Sequence, residues 1–129
     1  MEYLADTVAI IRYFSGSGYL PKKIKEIFLS ADEGENVISI SIISIVEIMY
    51  LAERNKIKLN LVEFKKKIEN NPNYRIIDLD FDIIEVAKNI DGLELHDRLI
   101  VSTAKYLEIP IITSDEIITD SKIIEVVWK

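Results

Sequence analysis

Four acidic residues of this chain stand in or beside apolar segments, where a charged side chain is unusual. Asp6 and Asp115 each follow an apolar segment typical of a strand and precede a helical pattern. Glu47 lies within IISIVEIMYLA, and Asp97 opens DRLIVSTAKYL. A buried carboxylate is unstable without a cation, a proton or hydrogen-bond donors. Because carboxylate oxygens are the ligands of hard divalent cations such as Mg²⁺ and Mn²⁺, these acids are candidate metal-ligating and catalytic residues.

Each acid also has a purely structural interpretation. Asp6 and Asp115 stand where helix N-caps stand, and Asp97 suits the first turn of a helix, where the helix dipole favours an acid. Glu47 would form a capping box with Ser44 if a helix began there. For each residue taken singly, both interpretations stay open.

The elements that must position these acids follow from the hydrophobic pattern. Apolar segments alternate with helical patterns, which is typical of βαβ units around a parallel sheet. The predicted strands are Tyr3–Ala5, Val37–Ile40, Tyr74–Leu79, Pro110–Thr113 and Ile124–Trp128. The predicted helices are Thr7–Phe14, Pro21–Ser30, Ile42–Arg54, Leu61–Glu69, Asp82–Asn89, Leu95–Leu107 and Glu116–Thr119. The predicted fold class is therefore α/β, with a parallel sheet of about five short strands.

This arrangement would bring the four acids together. Ligands of a doubly wound sheet bind beyond the carboxyl ends of its strands, where Asp6 and Asp115 are expected. Glu47 and Asp97 are expected in or near the first turns of helices that begin at the same edge. Each ionised pair about 4 Å apart would cost about 4 kcal/mol at an effective dielectric constant near 20. One or two Mg²⁺ or Mn²⁺ ions would offset that repulsion, and such a cluster suits two-metal hydrolysis of a phosphodiester.

Composition excludes several other kinds of site. The 129 residues include no Cys and one His, which excludes disulfides, thiolate metal sites, Cys nucleophiles and multi-histidine sites. The formal net charge of −6 argues against a broadly basic nucleic-acid interface, but not against an enzyme that carries its own cations. No apolar segment approaches the roughly 18 residues that span a bilayer, and the N-terminus lacks the basic start of a secretory signal. We expect a single domain over residues 1–129, located in the cytoplasm.

Four segments of the chain resemble the PIN-domain family, most closely its VapC-type toxins of toxin–antitoxin pairs. These segments are LADTVAIIRYF, SIISIVEIMYLAE, LHDRLIVSTAKYLEIPIITSDE and IIEVVW. The resemblance covers essentially the whole chain and implies a PIN-like three-layer α/β/α fold. It also implies an Mg²⁺- or Mn²⁺-dependent endoribonuclease that leaves a 5′-phosphate and a 3′-hydroxyl. The family's conserved acids fall on four positions of this chain: Asp6, Glu47, Asp97 and Asp115.

The resemblance suggests a role for each of these acids. Asp6 and Asp97 are expected to be the main metal ligands. Glu47 is expected to ligate a metal or to orient water, and Asp115 to complete the ligand set or hold a second ion. No departure from the family's acidic pattern indicates an inactive copy.

Five nearby residues carry weaker expectations. Thr113 and Ser114 are candidates for supporting the ligands, with ordinary strand-end hydroxyls as the alternative. Arg12 and Arg98 are possible RNA contacts, although Arg98 equally suits a surface or salt-bridging role. His96 is expected at the rim of the site rather than as a ligand, because it points about 100° away from Asp97 around the helix.

The toxin interpretation implies an RNA substrate, a cognate antitoxin and a homodimer. An antitoxin helix would occupy an apolar groove and place a basic side chain among the acids. The candidate groove or dimer face consists of apolar residues on the first two helices and directly before the second: Tyr13, Phe14, Tyr19, Leu20, Ile24 and Phe28. Core packing explains part of this set equally well.

Three other functions fit parts of the pattern. A phosphoacceptor receiver domain needs an acidic pair after its first strand and a Lys after its last, whereas this chain has a lone Asp6 and the sequence TSD. A catalytically silent PIN-like binding module is disfavoured, because its four acids would repel one another without serving a catalytic function. A PIN nuclease of RNA processing shares the same site and stays open as the alternative to a toxin.

Overall fold

A computed structural model describes residues 1–129 as five strands and seven helices. The strands are β1 (Glu2–Ala5), β2 (Val37–Ser41), β3 (Tyr74–Ile77), β4 (Ile111–Ile112) and β5 (Val126–Val127). The helices are α1 (Thr7–Ser15), α2 (Lys22–Asp32), α3 (Ile42–Glu53), α4 (Leu61–Glu69), α5 (Phe81–Lys88), α6 (Leu95–Leu107) and α7 (Glu116–Ser121). Each predicted element is present, and most boundaries differ by one or two residues. None of the helices combines the length and the apolar character that a membrane crossing requires.

All five strands are parallel and form one sheet in the order β3-β2-β1-β4-β5. Hydrogen bonds to the neighbouring strands extend one residue beyond each end of β4. Leu4 N–H donates to the Pro110 carbonyl over 2.9 Å, and Thr113 N–H donates to the Val127 carbonyl over 3.4 Å. The sheet therefore continues to the residues that the sequence predicted as the ends of β4.

Helices cover both faces of this sheet. On β1, Leu4 points into one apolar cluster and Ala5 into another, and Ile111 and Ile112 of β4 divide in the same way. This alternation follows from the two-residue period of a strand, and it explains why these strands are apolar on both faces. The expected α/β fold with a five-stranded parallel sheet in a three-layer arrangement is confirmed.

Five of the six residues of the predicted groove or dimer face lie in the core or pack against it, as the core-packing interpretation of this set expected. Three of its six residues are buried: Leu20, Ile24 and Phe28. Tyr13 stacks on the Phe28 ring with 4.4 Å between ring centroids, and Phe14 packs edge-on against the Phe64 ring at 5.0 Å. Tyr19, which is 68% exposed, is the one large side chain of the set that faces solvent. Aromatic packing between α1, α2 and α4 therefore occupies this apolar surface.

The order of the strands reverses between β1 and β4. From β1 the chain proceeds outward through β2 to β3, and it then returns to the opposite side of β1 to form β4 and β5. The carboxyl ends of β1 and β4 thus flank the topological switch point, which is where ligands bind in sheets of this kind.

Candidate active site

Asp6 and Thr113 join the ends of β1 and β4 at the switch point. Asp6 directly follows β1 and caps α1, with Oδ1 accepting the Ala9 N–H over 2.8 Å. Its other oxygen, Oδ2, accepts a hydrogen bond from Thr113 Oγ1 over 2.5 Å. Thr113 is fully buried, so this contact between residues 107 positions apart is shielded from water.

Asp115 extends the same network beyond β4. Its N–H donates to Thr113 Oγ1 over 3.0 Å. Its Oδ1 caps α7 by accepting the N–H groups of Ile117 and Ile118 over 2.8 and 3.1 Å. Both strand-end aspartates are therefore N-caps, as their structural interpretation expected. Capping uses Oδ1 of each residue and is compatible with a second role for Oδ2.

Glu47 is not part of a capping box. Helix α3 begins at Ile42 and is capped by Ser41, whose side chain accepts the Ile43 N–H over 3.1 Å. The structure thereby excludes the capping interpretation of Glu47. Its carboxylate instead accepts a hydrogen bond from Thr7 Oγ1 over 2.5 Å.

Asp97 lies in the first turn of α6, but it does not cap that helix. The cap is Glu94, whose carboxylate accepts the N–H groups of His96 and Asp97 over 3.0 and 3.4 Å. The Asp97 carboxylate is half-buried and is left without a backbone partner. Among the four candidate acids it is therefore the one most available to an external ligand.

The acids influence each other's protonation. Burial raises the pKa of Asp6 from its ordinary 3.8 to about 6, against the hydrogen bonds from Thr113 and Ala9, with smaller contributions from the charges of Asp97 and Asp115. Burial also raises the pKa of Asp97, followed by the charges of Asp115, Glu94 and Glu47. All four candidate acids therefore belong to one electrostatic cluster.

Two residues of this cluster, Thr7 and Glu94, were not singled out from the sequence, which placed a third residue, His96, at the rim of the site. Glu94 adds a fifth acid, His96 Nδ1 lies 3.3 Å from Glu47 Oε2, and Thr7 contacts the same carboxylate. The available signals were weak. Thr7 is the immediate neighbour of Asp6 in sequence, and Glu94 precedes a helical pattern like any ordinary cap.

The other candidate residues make local contacts. One terminal amino group of Arg12 donates to the Tyr19 carbonyl over 3.0 Å, and Arg98 Nε donates to the Ala87 carbonyl over 2.8 Å. Ser114 is exposed. Neither arginine forms an ion pair with the acids, and only Thr113 of the two predicted hydroxyl residues bonds to one of them.

The donor set has the chemistry of a hard-cation site. It consists of half-buried carboxylates, and burial and mutual repulsion raise the pKa values of two of them, Asp6 and Asp97. A divalent cation would relieve both effects. No three Asp, Glu or His side chains of the chain lie together in an arrangement that could hold one ion. Sharing an ion therefore requires the carboxylates to turn toward a common point.

Removing the Thr113 hydroxyl is expected to destabilise the protein. Thr113→Val leaves Asp6 Oδ2 and the Asp115 N–H without a partner, so unfolding in urea at neutral pH should show a loss of about 1–3 kcal/mol. The matched control is Thr103→Val, because Thr103 is also buried but donates only to the Leu99 carbonyl of its own helix. A loss for Thr113→Val no greater than for the control would contradict the proposed importance of this contact.

Comparison with known proteins agrees with this fold. The family model described as PIN domain matches residues 3–122. No curated protein sequence matches the chain. Among solved structures, VapBC2 from Rickettsia felis bound to a DNA fragment from the promoter superposes with a TM-score of 0.72 at 17% identity, covering 100% of both chains. DNA-bound VapBC from Salmonella typhimurium gives a TM-score of 0.69 at 17% identity, covering 98% of this chain and 97% of that one. A toxin–antitoxin complex from Klebsiella pneumoniae gives 0.63 at 22% identity, covering 88% and 86%.

Proposed function

This chain belongs to the PIN domain family, and on that premise we propose that it is a metal-dependent endoribonuclease, the toxin of a VapBC-type toxin–antitoxin pair. We further propose that residues 1–129 form one PIN domain. The observation that carries the nuclease proposal is the electrostatic cluster at the switch point. Asp6, Asp97 and Asp115 come from three different parts of the chain, yet the charges of Asp97 and Asp115 contribute to the raised pKa of Asp6.

We assign the metal site to four residues. Asp6, Asp97 and Asp115 would hold one or two Mg²⁺ or Mn²⁺ ions, and Glu47 would complete the ligand set or orient the attacking water. When bound, the metal would activate water and stabilise the charge that develops on the phosphate. Thr113 keeps Asp6 Oδ2 in place through its hydrogen bond, and Asp115 holds the start of α7.

The proposed reaction is hydrolysis of an RNA phosphodiester by in-line attack. The water oxygen forms a bond to phosphorus, the bond from phosphorus to the 3′-oxygen breaks, and a proton reaches that oxygen. The products are a 5′-phosphate and a 3′-hydroxyl. The cluster of carboxylates repels a phosphate when it is metal-free, so we expect substrate binding in the site to require the cation as well.

The proposed partners are a cognate antitoxin and a second copy of the chain. Similarity to toxin–antitoxin complexes of several bacteria supports an antitoxin. With RNA as the substrate, the expected location is the cytoplasm. The apolar side chains that remain available to a partner include Val46, Met49 and Tyr50 on α3, each 40–51% exposed.

The decisive experiment is cleavage of total cellular RNA by the purified protein, free of antitoxin, in Mg²⁺, in Mn²⁺ and in EDTA. We expect cleavage with either metal and none in EDTA, because the proposed reaction needs the ion to activate water and to stabilise charge on the phosphate. New ends should carry a 5′-phosphate. Cleavage that persists in EDTA, or absence of Mn²⁺ binding by calorimetry, would contradict the proposal.

A further inference from the structure

Both oxygens of the Glu47 carboxylate are contacted by side chains of other helices. Thr7 Oγ1, on α1, lies 2.5 Å from Glu47 Oε1, and His96 Nδ1, on α6, lies 3.3 Å from Glu47 Oε2. We propose that Thr7 and His96 are positioning residues that each hold one oxygen of the Glu47 carboxylate and thereby set its orientation in the active site. This inference rests on the nuclease proposed above and concerns two residues that lie beside its acids.

The contact with Thr7 is the better shielded of the two. Thr7 is 8% exposed, and its hydroxyl also lies 3.0 Å from Ser44 Oγ, one turn before Glu47 on α3. A carboxylate oxygen can only accept, so Thr7 donates its proton to Glu47. Since Thr7 directly follows Asp6, any movement of the start of α1 moves both the Asp6 carboxylate and the group that holds Glu47.

The contact with His96 connects Glu47 to the helix that carries Asp97. The His96 side chain is 47% exposed and that of Glu47 is 27% exposed, so the pair lies at the mouth of the site. His96 follows the cap of α6, and its own N–H is held by Glu94 over 3.0 Å. The imidazole therefore extends from a fixed backbone, and Nδ1 acts as the donor toward Oε2.

Fixing Glu47 matters because a glutamate side chain has three rotatable bonds and several rotamers of similar energy. Held at both oxygens, it stays near Asp97, whose protonation it influences. Released at either oxygen, it can turn toward solvent, and its distance from any bound ion or water is no longer defined. Groups that orient metal-site carboxylates typically change activity or metal affinity by about 10- to 100-fold when removed.

The first test observes the contact without using activity. His96 is the only histidine, so long-range ¹H–¹⁵N spectra of the imidazole contain one pair of ring nitrogens. At a fixed pH near 8 in EDTA, we expect the Nδ1-protonated tautomer in the wild type and a shift toward the Nε2-protonated tautomer in Glu47→Ala. Identical His96 spectra in the two proteins would overturn the role assigned to His96.

The second test measures what the contacts do. Thr7→Val removes the hydroxyl at constant shape, and we expect kcat for RNA cleavage to fall about 10-fold or more with a smaller change in KM. Thr7→Ser should restore most of the loss, since it restores the donor. His96→Ala should also lower kcat, whereas His96→Asn should recover part of it because the Asn amide occupies the position of Nδ1.

Two comparisons separate positioning from a general loss of structure. Thr103→Val, which removes another buried threonine hydroxyl, should leave kcat unchanged. In a Glu47→Gln background, Thr7→Val should cause no further loss, because the residue through which it acts has already been altered.

The outcomes are distinguishable. If the wild type cleaves RNA but Thr7→Val matches Thr103→Val in kcat and in Mn²⁺ affinity, Thr7 is structural and the positioning inference is wrong while the nuclease stands. A wild type that neither cleaves RNA nor binds Mn²⁺ overturns the nuclease, and the inference fails with it. Full additivity of Thr7→Val and Glu47→Gln would show that Thr7 does not act through Glu47.

Discussion

Replacing Asp6 by Asn is expected to lower RNA cleavage by about 100-fold or more, because it removes the most buried charge of the proposed metal site. Asparagine is an equally good helix cap, and its amide oxygen can still accept the Ala9 N–H. The variant therefore retains the start of α1 and loses the negative charge. Cleavage of RNA at saturating Mn²⁺, with single-turnover kinetics, measures the effect.

Asp80→Asn is the matched control for this substitution. Asp80 caps α5 by accepting the Ile83 N–H over 3.0 Å, which is the same three-residue capping contact that Asp6 makes to Ala9 over 2.8 Å. Asp80 is exposed and makes no contribution to the pKa values of Asp6 or Asp97. Equal losses of activity in both variants would mean that Asp6 acts only as a cap.

The same Asp6→Asn substitution is expected to stabilise the metal-free protein above about pH 6. Asp6 has a pKa of about 6 in the folded chain against an ordinary value of 3.8, so folding disfavours its ionised form. Below about pH 4 the group is protonated in both the folded and the unfolded state and contributes nothing. Between about pH 4 and pH 6 only the unfolded chain loses this proton, so the free energy of unfolding of the wild type falls by about 3 kcal/mol over that interval, and the Asn variant does not share the loss.

Urea unfolding in EDTA, at several pH values between about 4 and 8, measures this effect. The difference in free energy of unfolding between Asp6→Asn and the wild type should grow between about pH 4 and pH 6 and stay constant from about pH 6 to pH 8. Asp80→Asn should show no such growth. A difference that does not change with pH would mean that Asp6 titrates alike in the folded and unfolded chain.

A loss of cleavage together with a gain in metal-free stability in Asp6→Asn would show that the Asp6 carboxylate serves activity and lowers stability. A charge that burial disfavours becomes favourable when a divalent cation binds next to it. Added Mn²⁺ should therefore narrow the stability difference between Asp6→Asn and the wild type at pH 8, since it stabilises only the protein that can bind it.

The sequence by itself determined the strands and helices, and it identified the four acids that are candidates for the site. Alternation of apolar segments with helical patterns predicted all five strands and seven helices, because local hydrophobic periodicity is what a strand or helix buries. The apolar neighbours of Glu47 likewise identify it as unusual from its local sequence alone. The metal-binding and catalytic roles of the four acids stay a prediction, which the cleavage and Mn²⁺-binding measurements test.

Only the tertiary structure decided which side chains meet. The hydrogen bond from Thr113 to Asp6 depends on β4 lying beside β1, and the contacts of Glu47 with Thr7 and His96 depend on α3 packing against both α1 and α6. The sequence could not show that Phe14 is covered within the chain, because the two rings that pack against it, Phe64 of α4 and Tyr74 of β3, are distant in sequence. The aromatic residues of α1 and α2 therefore looked available to a partner. The local hydrophobic pattern predicts whether a residue is buried. Which residue it contacts depends on strand order and helix packing, and no local pattern contains that information.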